Sequence, residues 1–445
     1  MKFTNNPGLL LVVSFIILVV IGTVLLEISF LMEGNTSFTL VNAIATSTSA
    51  VTVTGLWFYP QLTLSEFSLF GQIVILILIQ LGGLGAMSAG AFLLIFLKGR
   101  LTLTEQETMK ELLDRKFLAD VAPLIRIIIT YTFFIEIAGF VAYLSQWIRI
   151  YPLEKAIFYS LFHSVSAFCN AGFTLYSDSF MQFQTDLVIN LVTMALIILG
   201  GLGFIVIFAL KNNFTSSILR QKKRKLDLHS RIVLISTFFL ILFGFLVFLS
   251  FEAVNLNLSL ENKIIVSLFQ SITLRTAGFN TVEIGNLSSP TLFFSTILMF
   301  IGAGPLSTSG GIKVTTFTLA MLLVWSILCR RNEFEIWKYK ISDTVMWRGM
   351  CLLVVSFLMM GLFLGILLAT ESFSFDKILF ELTSAFGTVG LSTGISPHLS
   401  VCGKIVVSVT MFFGRLGPLT LIYVLARKKE RPEIHRVEDR SVIIG

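Results

Sequence analysis

The amino-acid sequence predicts an all-α, polytopic membrane protein in which one unit, span–short helix–span, is used four times. Of its 445 residues, 55% are hydrophobic and only 13% are charged. A soluble protein carries about a quarter charged residues, which cover its surface. The apolar residues come instead in long blocks of the kind that span a bilayer, about 20 residues each. The blocks are 9–31, 70–97, 124–148, 187–210, 232–251, 292–301, 352–369 and 405–425.

The basic residues predict how the chain is oriented in the membrane. Lys2, three connecting segments and the C-terminal tail together hold 25 of the 33 lysines and arginines; the connecting segments are 98–126, 211–231 and 330–348, and the tail residues are 427–440. Basic residues close to span ends mark the cytoplasmic side. Both termini are therefore predicted to be cytoplasmic. Orientation explains the net charge of +7 better than a nucleic-acid partner does, although the basic run 222–225 would also suit anionic lipid.

The four outward connections predict the internal repeat. Each holds a short segment that ends in a glycine-containing turn, and the turns align as 49–55, 166–172, 272–278 and 384–390. A regular period of this kind indicates one structural unit used four times. We predict repeats over 1–98, 124–211, 231–329 and 347–427, followed by a cytoplasmic tail, 428–445. Their arrangement is expected to have pseudo-fourfold symmetry around one pore.

Short helices that re-enter the membrane predict an ion pathway. Irregular backbone is tolerated at membrane depth only where it is buried in protein or lines a water-filled cavity. Four turns meeting on one axis would offer rings of carbonyl oxygens that replace the hydration shell of a cation. The predicted filter lies near 52–56, 169–173, 275–279 and 387–391. Its ion-binding residues are Thr52, Val53, Thr54, Gly55, Cys169, Asn170, Ala171, Gly172, Arg275, Thr276, Ala277, Gly278, Gly387, Thr388, Val389 and Gly390.

Glycine has another common use in membranes, which is to let helices pack closely. We prefer that interpretation for the glycines inside spans, namely Gly82, Gly83, Gly85, Gly200, Gly201 and Gly203. The four turn glycines are interpreted as filter residues because all of them follow re-entrant segments.

The third repeat contains a predicted gate. Its second span is interrupted by a segment that is rich in glycine and contains one proline. Such a segment cannot remain a regular helix, because each glycine destabilises a helix by about 1 kcal/mol and each proline by about 3 kcal/mol relative to alanine. The gate residues are Gly302, Ala303, Gly304, Pro305, Leu306, Ser307, Thr308, Ser309, Gly310, Gly311 and Lys313. A structural kink is the alternative explanation.

Buried charges add further expectations. Arg415 lies inside a span, where a charge is costly and usually functional. We expect it to hydrogen-bond the gate loop or to form an electrostatic barrier, with a salt bridge to Glu136 as the alternative. Arg275 is interpreted as an anchor for its turn, and His163 and Glu381 as packing or local hydrogen-bonding groups.

Two other functional classes are less favoured. A membrane-embedded enzyme needs a nucleophile and base, or metal ligands, at membrane depth, but the four histidines are scattered. A secondary carrier usually shows two inverted repeats, whereas this sequence shows four repeats with the same orientation.

These motifs resemble the membrane subunit of bacterial Ktr potassium uptake systems, in the Trk/Ktr/HKT superfamily. The resemblance rests on 52–55, 170–173, 275–280, 386–390, the 302–313 loop and 413–420, and it covers essentially the whole chain. It implies potassium uptake across the bacterial plasma membrane, with potassium at the filter carbonyls. Gly55 resembles the potassium-conducting pattern, whereas a serine there is associated with sodium-selective plant relatives.

The same resemblance implies partners. Ktr-type subunits form homodimers on a cytosolic ring of regulatory subunits that bind ATP or ADP, and uptake is often sodium-dependent. Nucleotide is therefore expected only on the partner subunit, which would dock on 220–229 and 330–340. The tail is expected at the dimer interface.

Overall fold

A computed structural model describes residues 7–32, 39–97, 121–218, 226–253, 255–256, 258–331, 333–337 and 339–417. The predictions for the tail 428–445, the basic run 222–225 and most of segment 98–126 lie outside these residues. Within them the chain is mostly helical. The predicted fold class is confirmed, with one short hairpin as an addition.

The helices follow the predicted order of span, short helix and span. The first unit contains α1 (Pro7–Met32), the short helix α2 (Leu40–Val51) and α3 (Leu69–Leu97). The second contains α4 (Val121–Trp147), the short helix α5 (Leu153–Cys169), α6 (Leu187–Leu202) and α7 (Phe204–Ile218). The third contains α8 (Leu228–Glu252), the short helix α9 (Leu260–Thr273), α10 (Ser289–Phe300) and α11 (Val314–Leu328). An antiparallel hairpin, β1 (Glu335–Ile336) and β2 (Tyr339–Lys340), precedes the fourth unit, which contains α12 (Asp343–Thr370), the short helix α13 (Phe375–Gly387) and α14 (Val401–Leu416).

The first helix of each unit has the length and composition of a membrane span. Among the described residues these four helices pass that test individually, and the bent pair α6–α7 gives a fifth candidate if it counts as one span. Their outer faces carry large apolar side chains, with Phe133 61% exposed, Phe238 62% and Phe357 62%. Exposure of this kind would be costly in water, and it is what a lipid-facing surface requires.

Within the residues that the structure describes, two of the second spans are broken. The predicted span 187–210 is not continuous, because α6 and α7 meet at Gly203 with a bend of 105°. Gly203 has a φ of +86°, a conformation that side chains rarely adopt. Gly203 therefore does not lie inside a continuous span, although close packing does hold there, because a β-carbon on Gly203 would overlap Pro305 O. In the third unit the helix is interrupted from Ile301 to Lys313, where the sequence predicted a break.

The four units form a closed ring. The second span of each unit packs against the short helix of the next, as α3 on α5, α6 on α9, α10 on α13 and α14 on α2. The last of these contacts joins the fourth unit back to the first. This packing brings the C-terminal ends of the four short helices together at the centre of the fold.

Candidate ion pathway

The four short helices end in turns with the same backbone conformation. One residue in each turn adopts a left-handed φ between +50° and +69°, and the glycine two residues later has a φ between +70° and +97°. The left-handed residues are Val53, Asn170, Thr276 and Thr388, and the glycines are Gly55, Gly172, Gly278 and Gly390. A left-handed conformation costs a residue with a β-carbon roughly 1–2 kcal/mol. Its appearance four times at one register indicates a shared backbone geometry.

The four turns touch one another in cyclic order. A β-carbon added to any turn glycine would crowd the carbonyl oxygen of the residue that precedes the glycine in another turn. The pairs are Gly55 with Ala171, Gly172 with Ala277, Gly278 with Val389 and Gly390 with Thr54. Glycine is therefore required at these positions for two reasons. It tolerates the positive φ, and it leaves room for the close approach of the neighbouring backbone. The predicted filter residues lie together in one ring.

Hydroxyl groups at the ends of the short helices hold the turns in place. The backbone N–H of Gly55 donates to Ser49 Oγ at 3.0 Å, and that of Gly390 donates to Ser384 Oγ at 3.1 Å. In the second turn, Ser166 Oγ donates to the carbonyl of Phe173 at 2.7 Å. Each bond satisfies a buried backbone group that has left helical geometry.

The third turn differs from the others by one residue. In the first, second and fourth turns, the residue before the glycine donates its N–H to the carbonyl five residues back. In the third, Ala277 donates to Thr273, four residues back, at 2.9 Å. The hydroxyl of Thr273 donates in turn to Phe279 O at 2.6 Å. The alignment of Ile272 with Ser49 therefore misses the hydroxyl that serves the third turn.

Polar side chains on three short helices hold the chain just beyond the glycine. His163 Nε2 accepts the Leu175 N–H at 3.2 Å. Glu381 accepts the Thr393 N–H at 3.3 Å and the Ser392 hydroxyl at 2.8 Å.

Gln270 makes the corresponding contact in the third unit, donating to Thr281 Oγ1 at 3.1 Å. In each case one partner lies three residues after the turn glycine, as Leu175, Thr281 or Thr393. His163 and Glu381 thus act as local hydrogen-bonding groups, and their equivalent positions were not recognised from sequence. The first unit has Thr46 there, and its hydroxyl has no partner among the described residues.

A vestibule opens in front of the ring. It is a cavity of about 490 Å³ that all four turn glycines line. Asp178 and Glu283 supply carboxylates to its walls, and the described lining contains no lysine or arginine. Acidic groups without basic neighbours raise the local concentration of cations. The vestibule is therefore electrostatically suited to cations rather than anions.

The interrupted segment of the third unit, which we call the 302–313 loop, packs on the other side of the turns. Thr308 donates its N–H to Gly200 O at 3.3 Å and its hydroxyl to Phe168 O at 3.3 Å. A β-carbon added to Gly310 would overlap the side chain of Thr388. The loop thus contacts the second and fourth turns or the helix ends that precede them.

Asn170, a residue of the second turn, contacts the loop directly. In the orientation that satisfies its amide, Asn170 accepts from Ser309 Oγ at 3.2 Å and donates to Ala167 O at 3.1 Å. A turn residue and a loop residue are therefore hydrogen-bonded to each other. Movement of the loop would break this bond.

Arg415 joins the loop to the first unit. Its guanidinium donates to Gly82 O at 2.9 Å and to Thr308 O. Arg415 is only 6% exposed, and Glu136 accepts instead from Gln80 Nε2 at 3.3 Å. Arg415 and Glu136 do not form an ion pair. The salt bridge found among the described residues is a surface pair, Lys340–Glu333. The geometry therefore matches contact with the loop rather than the alternative of a salt bridge.

Two more cations bind the loop through carbonyl oxygens. Lys313 Nζ donates to Ser309 O, within the loop. Arg275, interpreted from sequence as an anchor of its own turn, donates to Ile301 O at 3.3 Å and so reaches the start of the loop. Its side chain contributes to holding the loop, and only its backbone belongs to the turn.

Cys169 is a predicted filter residue whose side chain faces two neighbouring spans. Its Sγ is 3.7 Å from Gln80 Oε1 and 3.9 Å from Glu136 Oε1. The span glycines next to it confirm the packing interpretation. A β-carbon on Gly83 would lie 2.7 Å from Cys169 Sγ, and one on Gly200 would overlap Phe168 O.

Lys404 is a buried charge that the sequence analysis did not single out. It lies on α14, and its Nζ donates to Asn42 Oδ1 at 2.7 Å and to Phe58 O at 3.5 Å. Asn42 belongs to α2 and Phe58 follows the first turn, so Lys404 ties the fourth unit to the first. A lysine directly before the apolar block 405–425 is the signal that could have identified it.

Comparison with known proteins agrees with this architecture. Residues 4–436 match the family described as "TrkH: Cation transport protein". The chain is 37% identical to Ktr system potassium uptake protein B of Vibrio alginolyticus, over 100% of this chain and 96% of that protein. It is 35% identical to the protein of the same name in Bacillus subtilis, over 100% and 97%. It is 32% identical to potassium/sodium uptake protein NtpJ of Enterococcus hirae, over 99% and 97%.

A solved structure shows the same fold. The potassium transporter TrkH from Vibrio parahaemolyticus superposes with a TM-score of 0.72 at 22% sequence identity, covering 93% of this chain and 84% of that one. The predicted resemblance to the Trk/Ktr group is confirmed, as is the assignment to transport rather than to enzyme catalysis. This chain belongs to the TrkH family of cation transport proteins.

Proposed function

We propose that this protein takes up potassium across the bacterial plasma membrane through the ring of four turns. The observation that carries the proposal is the cyclic contact of the turn glycines with the carbonyl-bearing residues of the neighbouring turns. Rings of carbonyl oxygens at such a point replace the water shell of a cation. The names of the relatives, potassium uptake proteins in two organisms and a potassium/sodium uptake protein in a third, support potassium as the main ion.

The filter is proposed to consist of the four predicted segments, 52–55, 169–172, 275–278 and 387–390, acting through their backbones. The left-handed residue and the glycine in each turn give the segments one shared conformation, which supports equivalent roles. A glycine in all four turns favours potassium. The name of the Enterococcus relative supports sodium as a second ion in the transport cycle.

The 302–313 loop and Arg415 are proposed to gate this pathway. The loop lies against the second and fourth turns. It is held by backbone hydrogen bonds, by three cationic side chains of which Arg275 and Arg415 are buried, and by apolar packing of Ile312. Irregular segments generally open at lower free energy than packed helices do. Arg415 would hold the loop in its blocking position through Thr308.

The remaining features of the proposal concern assembly. Both termini are proposed to be cytoplasmic, with the protein acting as a homodimer on a cytosolic ring of nucleotide-binding subunits. Nucleotide would bind the ring rather than this chain. The "Ktr system" names of the relatives support a partner subunit, and the basic segments 220–229 and 330–340 are the proposed docking surface.

Potassium uptake in a bacterium that lacks its own potassium transport tests the proposal. Wild-type protein should restore growth at low potassium, and Gly55→Ser, Gly278→Ser and Gly390→Ser should each reduce uptake or its preference for potassium over sodium. Gly365→Ser is the matched control, since no atom lies within 4 Å of a β-carbon built there. Unaltered uptake and ion preference in well-expressed turn variants would exclude the filter assignment.

A further inference from the structure

An apolar groove lies outside the ion pathway, between α8 and α11. It has a volume of about 470 Å³, and hairpin β1–β2 forms part of its wall. Its surface comes from Ile232 and Ile235 of α8, Met321, Trp325 and Leu328 of α11, and Trp337 of the hairpin, together with similar neighbours. Two hydroxyls in the lining, Ser236 and Thr318, hydrogen-bond to each other at 2.9 Å. The groove therefore offers water little to bind and suits an apolar chain.

Cationic residues lie at one end of this groove. Arg330 and Arg331 follow α11 after one intervening residue, Cys329, and the last residue of α11, Leu328, lines the groove. Arg231 directly precedes the lining residue Ile232 at the start of α8. Arg330 and Arg331 are exposed and Arg231 is half-buried. In the part of the chain that the structure describes, none of the three forms an ion pair. An anionic group would complement them.

One of these arginines and one lining residue of the groove have a left-handed backbone conformation. Arg330 has a φ of +51° and Trp337, in the hairpin turn, has a φ of +46°. Glycine or asparagine is the usual residue in such conformations. Arg330 follows the end of α11, where its N–H donates to Ile327 O and that of Arg331 donates to Ser326 O, a helix ending that normally uses glycine. Large side chains at both positions motivate a functional explanation.

We propose that this groove binds one anionic phospholipid from the cytoplasmic leaflet. An acyl chain would lie along Ile235 and Met321, and the phosphate would face Arg330, Arg331 and Arg231. Trp325 and Trp337 would lie at the headgroup level, where indole rings are enriched. The cytoplasmic leaflet is the anionic one, and juxtamembrane basic residues attract its lipids. This inference rests on the proposed orientation, with the basic connections in the cytoplasm. It assigns Arg330, Arg331 and Trp337 to the lipid, so that only the rest of segment 330–340 would be left to contact the regulatory ring.

Lipid binding by the purified full-length protein provides the test. After delipidation, the protein is mixed with phosphatidylglycerol or phosphatidylcholine, and retained lipid is measured by native mass spectrometry. Wild type should retain phosphatidylglycerol preferentially. Arg330→Gln and Arg331→Gln should each weaken that retention about fivefold, given the usual contribution of one basic residue at an anionic surface. Met321→Trp, which fills the groove, should weaken retention of the acyl chain.

Matched variants control for general effects of charge and bulk. Arg126→Gln removes a cation near the start of α4, and Ile327→Trp adds bulk on α11 outside the groove lining. Both should retain phosphatidylglycerol as wild type does. Equal retention of the two lipids by wild type, or equal loss in test and control variants, would overturn the proposal. Cross-linking of Met321→Cys to a second copy or to a regulatory subunit would also overturn it, because a protein would then occupy the groove.

This measurement is independent of ion transport. A chain that fails to transport potassium would still retain phosphatidylglycerol if the groove is a lipid site. Conversely, transport could be intact while the groove retains no lipid. Failure of the lipid proposal and failure of the proposed function therefore give different results.

Discussion

Gly390 and Thr54 lie against each other where the fourth turn meets the first, so closely that a β-carbon on Gly390 would overlap the carbonyl oxygen of Thr54. These residues are far apart in sequence, and their contact closes the ring. The same relationship joins Gly55 to Ala171. A pathway enclosed by all four turns requires the contact between Gly390 and Thr54. The other three junctions join units that follow one another in the chain, whereas this one joins the fourth unit to the first.

Replacing Gly390 by alanine should lower potassium uptake at least about tenfold. The alanine would meet both a strained φ of +94° and the Thr54 carbonyl, and strain of roughly 1–3 kcal/mol is expected from the conformation alone. Rubidium influx into cells provides the measurement. Gly361→Ala serves as the control, since a β-carbon there has no neighbour within 4 Å. Equal influx in both variants would contradict the requirement for glycine.

Replacing Arg415 by alanine should raise ion flux. The substitution removes hydrogen bonds to Thr308 O and Gly82 O, so the 302–313 loop would lose one of its attachments. Flux into vesicles containing purified protein should increase, and partial deletion of the loop should have the same effect. Arg415→Lys keeps the charge without the two-pronged geometry and should lie between alanine and wild type. Lower flux in correctly inserted Arg415→Ala protein would argue against a gate.

Replacing Glu381 by alanine should destabilise the fourth turn. Glu381 accepts bonds from the Thr393 N–H and the Ser392 and Ser396 hydroxyls, and leaving such buried groups unpaired costs about 1–3 kcal/mol each. We expect a lower melting temperature in detergent and a weaker preference for potassium over sodium. Glu381→Gln retains an acceptor and should be milder. The control is Thr383→Ala, which removes a hydroxyl that bonds only within its own helix.

Neutralising the vestibule should change how uptake depends on potassium concentration. In the double variant Asp178→Asn with Glu283→Gln, the carboxylates that line the vestibule are lost. The KM for potassium should rise several-fold at low ionic strength, with little change in maximal rate, because these groups concentrate cations without binding them in the filter. Salt should reduce the difference from wild type. Glu261→Gln, on an exposed helix start outside the vestibule, should leave KM unchanged.

Much of this architecture could be predicted because the four repeats are recognisable in the sequence. Hydrophobic blocks and the recurring glycine turns are local signals, and the four aligned turns do meet in one ring. Break points were harder to predict. Gly203 was interpreted as a packing residue, yet it ends α6, because Phe204 donates its N–H to Leu306 O of the loop. A bend that depends on a segment about a hundred residues away leaves no local pattern.

The side chains around the turns show the same limit. His163, Gln270 and Glu381 occupy corresponding positions, but they differ in chemistry and share only a hydrogen-bonding role. An alignment by residue type cannot find them. Lys404 was missed because its partners, Asn42 and Phe58, belong to the opposite end of the chain.

Over the described residues, the interruption between Ile301 and Lys313 has its length in one quarter of the ring alone. A tetramer of identical subunits could not have this arrangement. A loop present in one subunit would be present in all four, and the four copies would collide at the axis. Fusion of the four units into one polypeptide removes that constraint. Each quarter can then mutate separately, so a single chain can dedicate one sector to obstruction while the other three keep the backbone geometry of the axis.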